Sequence, residues 1–301
     1  MQIHRVVLCC SLLVVSGVGF SNVRAESPYV QHENIVYSEV HGVALVLDVF
    51  VPTGTKNGIG IVDVASGAWY SDRGKINDHK KAQMYDIFGT KGYTVFAVRP
   101  GSVTKFCVPE MLTHLKTGIR WVKEHAVQYE IDPDRLGLTG ASAGGHLACL
   151  AAVTPDEAAA GKLSTRVKAA AVFFPPTDFL AYGPLPLDLK SQRTRRLAIP
   201  LGAADPTDDE MKEKLIQISP ARLVTDKAPP FLLIHGDFDF MVPLQQSQVM
   251  LDALKKANVP AELIIKKGGG HPWPTIHEEV KVLADWFDRQ LPAPAAEKKT
   301  P

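Results

Sequence analysis

The stretch Leu138-Thr139-Gly140-Ala141-Ser142-Ala143-Gly144-Gly145-His146 constrains this chain more than any other. An apolar run ends in a serine that has a glycine two places before it and another two places after it. That is the pattern of a strand turning at once into a helix. Such a turn forces the serine into a strained backbone conformation and exposes its hydroxyl. Bulky side chains at 140 and 144 would collide with the neighbouring strand and helix, so small residues are required there. Small-residue turns with an incidental serine carry the same letters, and residues further along the chain decide between the two.

The 301 residues are 46% hydrophobic and 22% charged, an ordinary globular composition with enough chain for one sizeable core or two small ones. Residues 1–25 stand apart. Met1 to Arg5 is short and basic, Val6 to Phe20 is mostly apolar, and Val23-Arg24-Ala25 carries small residues where a signal peptidase reads. This predicts a secretory signal peptide cleaved after Ala25, and export to the periplasm or the extracellular space. The apolar run falls short of the ~20 residues that span a hydrocarbon core. Cys9 and Cys10 follow Val-Val-Leu rather than the small residues that precede a lipidated cysteine, so no stable membrane anchor is expected. Cleavage would remove Arg5 and Arg24 and no acid, leaving the chain with one net negative charge in place of +1. Neither value gives a basic field for nucleic acid or an anionic membrane. Of the four cysteines, Cys107 and Cys149 lie beyond the signal. An exported chain permits a disulfide, but two cysteines in a domain of this size are more often free than a scaffold.

Beyond a polar linker at 26–32, strand-like and helix-like segments alternate. Ile35–Glu39 and Ala44–Val51 read as a hairpin turned at His41-Gly42. Gly58–Val64, Tyr93–Val98, Leu136–Thr139, Val167–Phe174, Phe231–His235 and Ala261–Lys266 read as further strands. Helices are expected at Ile76–Phe88, Pro109–Tyr129, after Ser142, at Leu244–Lys256 and at His277–Leu291. This alternation predicts an α/β architecture: one domain over 33–291 with a mainly parallel central sheet flanked by helices on both faces. Residues 176–228 break the rhythm with prolines and charges and are expected as a small insertion over the sheet's carboxyl edge, where ligands bind in such folds. The tail 292–301 is expected to be disordered.

An elbow serine needs a base, and the base needs an orienting carboxylate. His235-Gly236-Asp237-Phe238-Asp239-Phe240-Met241-Val242-Pro243 leaves the end of an apolar strand, on the edge where Ser142 would sit. Two acids compete in it. Asp239 is favoured, and Asp237 at the tight turn is expected to hold the loop. Gly268-Gly269-Gly270-His271 comes after the last strand, and glycines there let the backbone bring an imidazole over the sheet edge. Separately each residue has an ordinary reading. Jointly, Ser142, Asp239 and His271 succeed three strands in the order of an α/β hydrolase.

The residues carry a resemblance. Tyr129-Glu130-Ile131-Asp132-Pro133-Asp134-Arg135 through Gly140-Ala141-Ser142-Ala143-Gly144-Gly145-His146-Leu147 resembles the esterase/lipase branch of the α/β hydrolases. So do Ser219-Pro220, Ala228-Pro229-Pro230, His235-Gly236 and Gly270-His271. The nearest look is to small acetyl-xylan-esterase-like and feruloyl-esterase-like enzymes, related to hormone-sensitive-lipase-type esterases. The resemblance implies the α/β-hydrolase fold and a serine carboxylesterase acting on short acyl esters, on a small molecule or a polysaccharide. It implies Ser142 as nucleophile, His271 as base and Asp239 as its orienting acid, with no cofactor and no metal. Such enzymes usually carry His-Gly-Gly-Gly-Trp after the third strand, where this chain has Ala65-Ser66-Gly67-Ala68-Trp69. Oxyanion donors are backbone N–H groups, so they are assigned to Gly67, Ala68 and Ala143. Ser66 is read as filling the histidine's space, with a hydroxyl donor as the alternative.

Trp69 and Trp273 are the expected substrate-binding side chains; for Trp273 an anchoring role stands equally. His146 is read as a packing residue. His271 with His277, Glu278 and Glu279 matches no metal-binding spacing. The charged residues Asp188, Lys190, Arg193, Arg195 and Arg196 argue against a lipid-facing cover. Two other readings remain open: a serine peptidase of the prolyl-oligopeptidase type, which lacks here its usual propeller, and a non-catalytic binding member of the fold.

Overall fold

The computed structural model describes residues 26–184 and 207–293. The expected signal peptide, the five insertion charges between 188 and 196, and the tail from 294 lie outside them. An eight-stranded sheet runs through the middle in the order β1-β2-β4-β3-β5-β6-β7-β8. β1 (Tyr29–Val40) and β2 (Val43–Pro52) form an antiparallel hairpin, and β2 pairs antiparallel with β4 (Thr94–Val98). From β4 onward every neighbour is parallel: β3 (Gly60–Val64), β5 (Leu136–Ala141), β6 (Ala169–Phe173), β7 (Phe231–Gly236) and β8 (Ala261–Lys266). The expected α/β sheet is therefore present. The parallel strands β3, β4, β6 and β7 are buried along their whole length, which explains why they read as unbroken apolar runs rather than alternations.

Helices cover both faces. On one lie α3 (Val108–Glu124), α5 (Ala143–Val153) and α8 (Gln245–Lys256), around Met111, Leu115, Ile119, Leu147, Met250 and Leu254. On the other lie α1 (Arg73–Lys81), α2 (Met84–Thr90) and α9 (Ile276–Gln290), around Ile76, Phe88, Leu283 and Phe287. α4 (Ala126–Tyr129) is a single turn after α3. Within the stretch 176–228, expected as an insertion, α6 (Asp208–Gln217) and α7 (Pro220–Leu223) are helical, and among its described residues there is no strand.

Three expectations are corrected. The helix over Ile76–Phe88 is two helices, broken at Gln83, whose φ is 56°. A continuous helix burying Ile76 and His79 would next bury 83 and 87, but the structure buries Met84, Tyr85 and Phe88, one place out of phase. The helix over Pro109–Tyr129 ends at Glu124, where the His125 ring bonds the Trp121 carbonyl at 2.7 Å. The linker at 26–32 is shorter than expected, because β1 begins at Tyr29, whose ring packs on Phe50 and Tyr85. Conversely, His41 and Gly42 form the hairpin turn with φ of 50° and 71°, the left-handed pair that a two-residue turn requires.

The elbow is the tightest point of the fold. A Cβ on Gly140 would lie 2.6 Å from the Gly144 carbonyl, and a Cβ on Gly144 would lie 2.2 Å from the Val64 carbonyl oxygen. Both obstacles are backbone, so neither yields easily. Gly144→Ala should therefore lower unfolding stability by about 3 kcal/mol, the upper end of an overpacking cost. Gly54→Ala, where nothing lies within 4 Å, should stay within ~0.5 kcal/mol of the parent. Urea denaturation of the two variants side by side checks this.

Candidate active site

β5 delivers Ser142 at φ 54° and ψ −121°, a conformation that costs about 1–3 kcal/mol in a residue with a Cβ. Two backbone hydrogen bonds offset it. Ser142 N–H donates to the Phe173 carbonyl at 3.0 Å, and Gly144 N–H donates to the Ser66 carbonyl at 2.9 Å. The serine hydroxyl thus stands at the start of α5, over the carboxyl edge of the sheet.

Loops after β7 and β8 bring the other two predicted residues to it. His271 Nε2 lies 2.9 Å from Ser142 Oγ, and Nδ1 lies 2.6 Å from Asp239 Oδ2. Since a carboxylate oxygen only accepts, Nδ1 bears the proton and Nε2 is left to accept from the serine. Asp239 Oδ1 takes the N–H groups of Met241 and Val242 at 2.8 and 2.9 Å. Burial of the Asp239 carboxyl would raise its pKa. The hydrogen bonds from His235, His271 and Val242 outweigh that and hold the group well below the usual carboxylate range. Asp237 accepts from Gly268 N–H at 2.6 Å and so ties the two loops together. Phe174, at the end of β6, packs its ring 4.3 Å from that of His271. No motif marked Phe174, and His235 stood in the His235-Gly236 motif without a role assigned to it.

Of the three expected oxyanion donors, one is corrected. The Gly67 N–H donates to the Tyr70 carbonyl at 2.9 Å, and Tyr70 N–H donates back to Gly67 at the same distance. Gly67 therefore has no amide to spare. Ala143 opens α5, and the first N–H groups of a helix have no intrahelical acceptor. Ala68 is exposed, and among the described residues neither Ala68 nor Ala143 donates its N–H to a protein acceptor. Ala68 and Trp69 sit at φ 49° and 60°, about 1–2 kcal/mol each for residues that are not glycine. The Ser66 hydroxyl is buried without a partner among the described residues, which agrees with a space-filling role.

Both tryptophans have their indole N–H engaged. Trp69 donates its indole N–H to His146 Nδ1 at 3.1 Å. Trp273 is buried and donates to Glu279 at 2.7 Å, and Glu279 in turn takes Lys266 Nζ at 2.7 Å. These bonds satisfy the two indole N–H groups; the Trp69 ring stays partly exposed, and the bond to Glu279 gives Trp273 the anchoring role that stood beside its substrate role. His277, Glu278 and Glu279 do not converge with His271: Glu278 and Glu279 both bind Lys266. Cys107 and Cys149 are free thiols.

His146 is fully buried, and its Nε2 lies 2.7 Å from the Ile218 carbonyl. Burial pushes its pKa down to about 4, against a smaller upward pull from that carbonyl.

This strand order, with a serine elbow after β5 and the acid and histidine loops after β7 and β8, defines the α/β-hydrolase fold. The chain belongs to the BD-FAE family, whose model matches residues 47–254. It is 29% identical over 209 residues to the probable carboxylic ester hydrolase LipM of Mycobacterium tuberculosis, an alignment covering 66% of this chain and 45% of that protein. The chain spans about half the length of the curated relatives it matches. Among solved structures, a truncated carbohydrate esterase from gut microbiota superposes with a TM-score of 0.76 at 25% identity, covering 89% of this chain and 99% of the other. The thermophilic esterase Est2 of Thermogutta terrifontis superposes at 0.68 and 26%, covering 89% and 95%.

The buried His146 sets a testable pH dependence. An unfolded chain takes up its proton near pH 6.5 and the folded one only near 4. Its contribution to folding is therefore full above pH 6.5 and is lost as the pH falls toward 4, by up to about 1.4 kcal/mol per pH unit. Urea unfolding between pH 7 and 4.5 should show this slope in the parent and a flatter one in His146→Asn.

Proposed function

We propose that the protein is a serine carboxylesterase that cleaves short-chain acyl esters, with carbohydrate as the alcohol side. The observation that carries this reading is the chain of contacts from Ser142 Oγ through the His271 imidazole to Asp239, at 2.9 and 2.6 Å. The carboxylic ester hydrolase and the two esterases to which the chain is similar support the reaction class. The gut carbohydrate esterase, matched along almost its whole length, supports the sugar side. Export, in this reading, rests on residues 1–25 of the sequence.

Nucleophilic attack proceeds as His271 Nε2 takes the Ser142 proton and Oγ bonds to the ester carbonyl carbon. The carbonyl π pair moves onto oxygen, and that charge is met by the N–H groups of Ala143 and Ala68. His271 then passes its proton to the leaving alcohol, and water repeats both steps on the acyl-enzyme. Asp239 keeps the Nδ1 proton in place and stabilises the imidazolium. Its many hydrogen bonds keep it ionised for that task.

Ser142→Ala should lower kcat for a nitrophenyl acetate at least ~10⁴-fold, and Asp239→Asn by a comparable factor through the wrong imidazole tautomer. A fluorophosphonate probe should label the parent and leave Ser142→Ala unmarked. Turnover by Ser142→Ala near the parent rate would sink the proposal.

A further inference from the structure

Three pieces of the molecule meet at one imidazole. His146 lies on α5, one helical turn beyond Ser142. Trp69 comes from the loop after β3, and Ile218 caps the last turn of α6 in the insertion. The Ile218 carbonyl can only accept, so the His146 proton resides on Nε2, and Nδ1 is thereby left with a lone pair facing the Trp69 indole N–H. Phe179 closes the cluster, its ring 5.0 Å from His146 and 6.0 Å from Trp69. The loop from 65 to 70 has a specific need for such a hold. Ala68 and Trp69 both sit in the left-handed region without being glycine. The local bonds that could keep them there are the Gly67–Tyr70 pair and the Val103 N–H on the Trp69 carbonyl. Those hold Gly67, Tyr70 and the Trp69 carbonyl, and among the described residues leave Ala68 with no hydrogen bond of its own, so that its neighbour Trp69 carries its position.

We propose that His146 is a positioning residue for this loop: held at Nε2 by the Ile218 carbonyl, it accepts the Trp69 indole N–H at Nδ1 and so keeps Ala68 where its amide meets the oxyanion. This rests on the serine-esterase reading above. The same link ties the amide's position to the insertion, since Ile218 ends α6 and the next residue, Ser219, accepts the Phe179 N–H and donates to Leu215. A side chain that only donates or only accepts cannot serve both neighbours, and a packing role alone would not select an imidazole.

Trp69→Phe deletes the N–H and keeps the ring, so it tests the bond with the least disturbance. The probe is a trifluoromethyl ketone: Ser142 Oγ bonds to its carbonyl carbon, the serine proton passes to His271 Nε2, and the carbonyl π pair moves onto oxygen to give the negative oxygen of the tetrahedral adduct. Expected for Trp69→Phe is a kcat on nitrophenyl acetate at least ~10-fold lower, as a small misplacement of a reacting group produces. KM should stay within about twofold, and the ketone should bind weaker by the factor lost from kcat. His146→Leu should match it, while His146→Asn, which restores an acceptor, should return to within about threefold of the parent. Unchanged melting temperature in Trp69→Phe keeps folding out of the comparison.

Parent-like kcat and ketone affinity in Trp69→Phe would overturn the proposal. So would a loss carried by KM with ketone binding intact, or His146→Asn as impaired as His146→Leu. Those outcomes leave Ser142→Ala inactive, whereas activity in Ser142→Ala would remove the esterase reading itself.

Discussion

The hydrogen bond from Gly144 N–H to the Ser66 carbonyl, made across a gap with no room for a Cβ, is the contact on which the rest of the site depends. It joins the first turn of α5 to the loop after β3, the two segments that carry the unengaged amides of Ala143 and Ala68. Were 144 any other residue, its Cβ would meet the Val64 carbonyl, and the loop would have to retreat from the serine. The strain stored at Ser142 and at Ala68-Trp69 is held in place by that close approach. Each segment alone would relax; packed together, they cannot.

A second pattern governs the loops. Each is secured by a group that must be satisfied because it is buried. Trp69 gives its indole N–H to His146, and Trp273 gives its own to Glu279, whose charge Lys266 balances. In one case the acceptor is a neutral imidazole and in the other a carboxylate. The difference comes from depth. His146 is sealed between α5, the insertion and the loop, where an ion would be costly. Glu279 lies near enough to the surface for a lysine to reach it.

Sequence alone located the parts that obey simple spacing. Ser142, Asp239 and His271 each come after a strand, and strand ends on a parallel sheet share an edge, so linear order carried spatial meaning. The roles of Gly67, Trp69 and Trp273 were not legible in the same way. Whether an amide is free depends on the return path of its own turn, here Gly67 to Tyr70. Whether an indole faces a cleft or a buried acceptor depends on residues 77 and 6 positions away. The break at Gln83 was hidden for a related reason: both halves are amphipathic, and only the phase of burial against β2 and β4 separates them.

Three histidines near the edge show how partners, rather than residue type, assign chemistry. His235 is fully buried, with Ser247 Oγ at Nδ1 and, at Nε2, the Val242 carbonyl at 2.9 Å and Asp239 Oδ2 at 3.5 Å, so its ring is committed to holding the Asp239 loop. His146 is committed likewise, between Ile218 and Trp69. His271 has Asp239 on one nitrogen at 2.6 Å and the half-buried Ser142 hydroxyl on the other, whereas the Ser247 hydroxyl against His235 is sealed in the core. In the proposed reaction that carboxylate stabilises the imidazolium, and the Ser142 hydroxyl supplies the proton it takes. Exchange those partners among the three and the chemistry would move with them, because nothing in an isolated imidazole distinguishes a strut from a base.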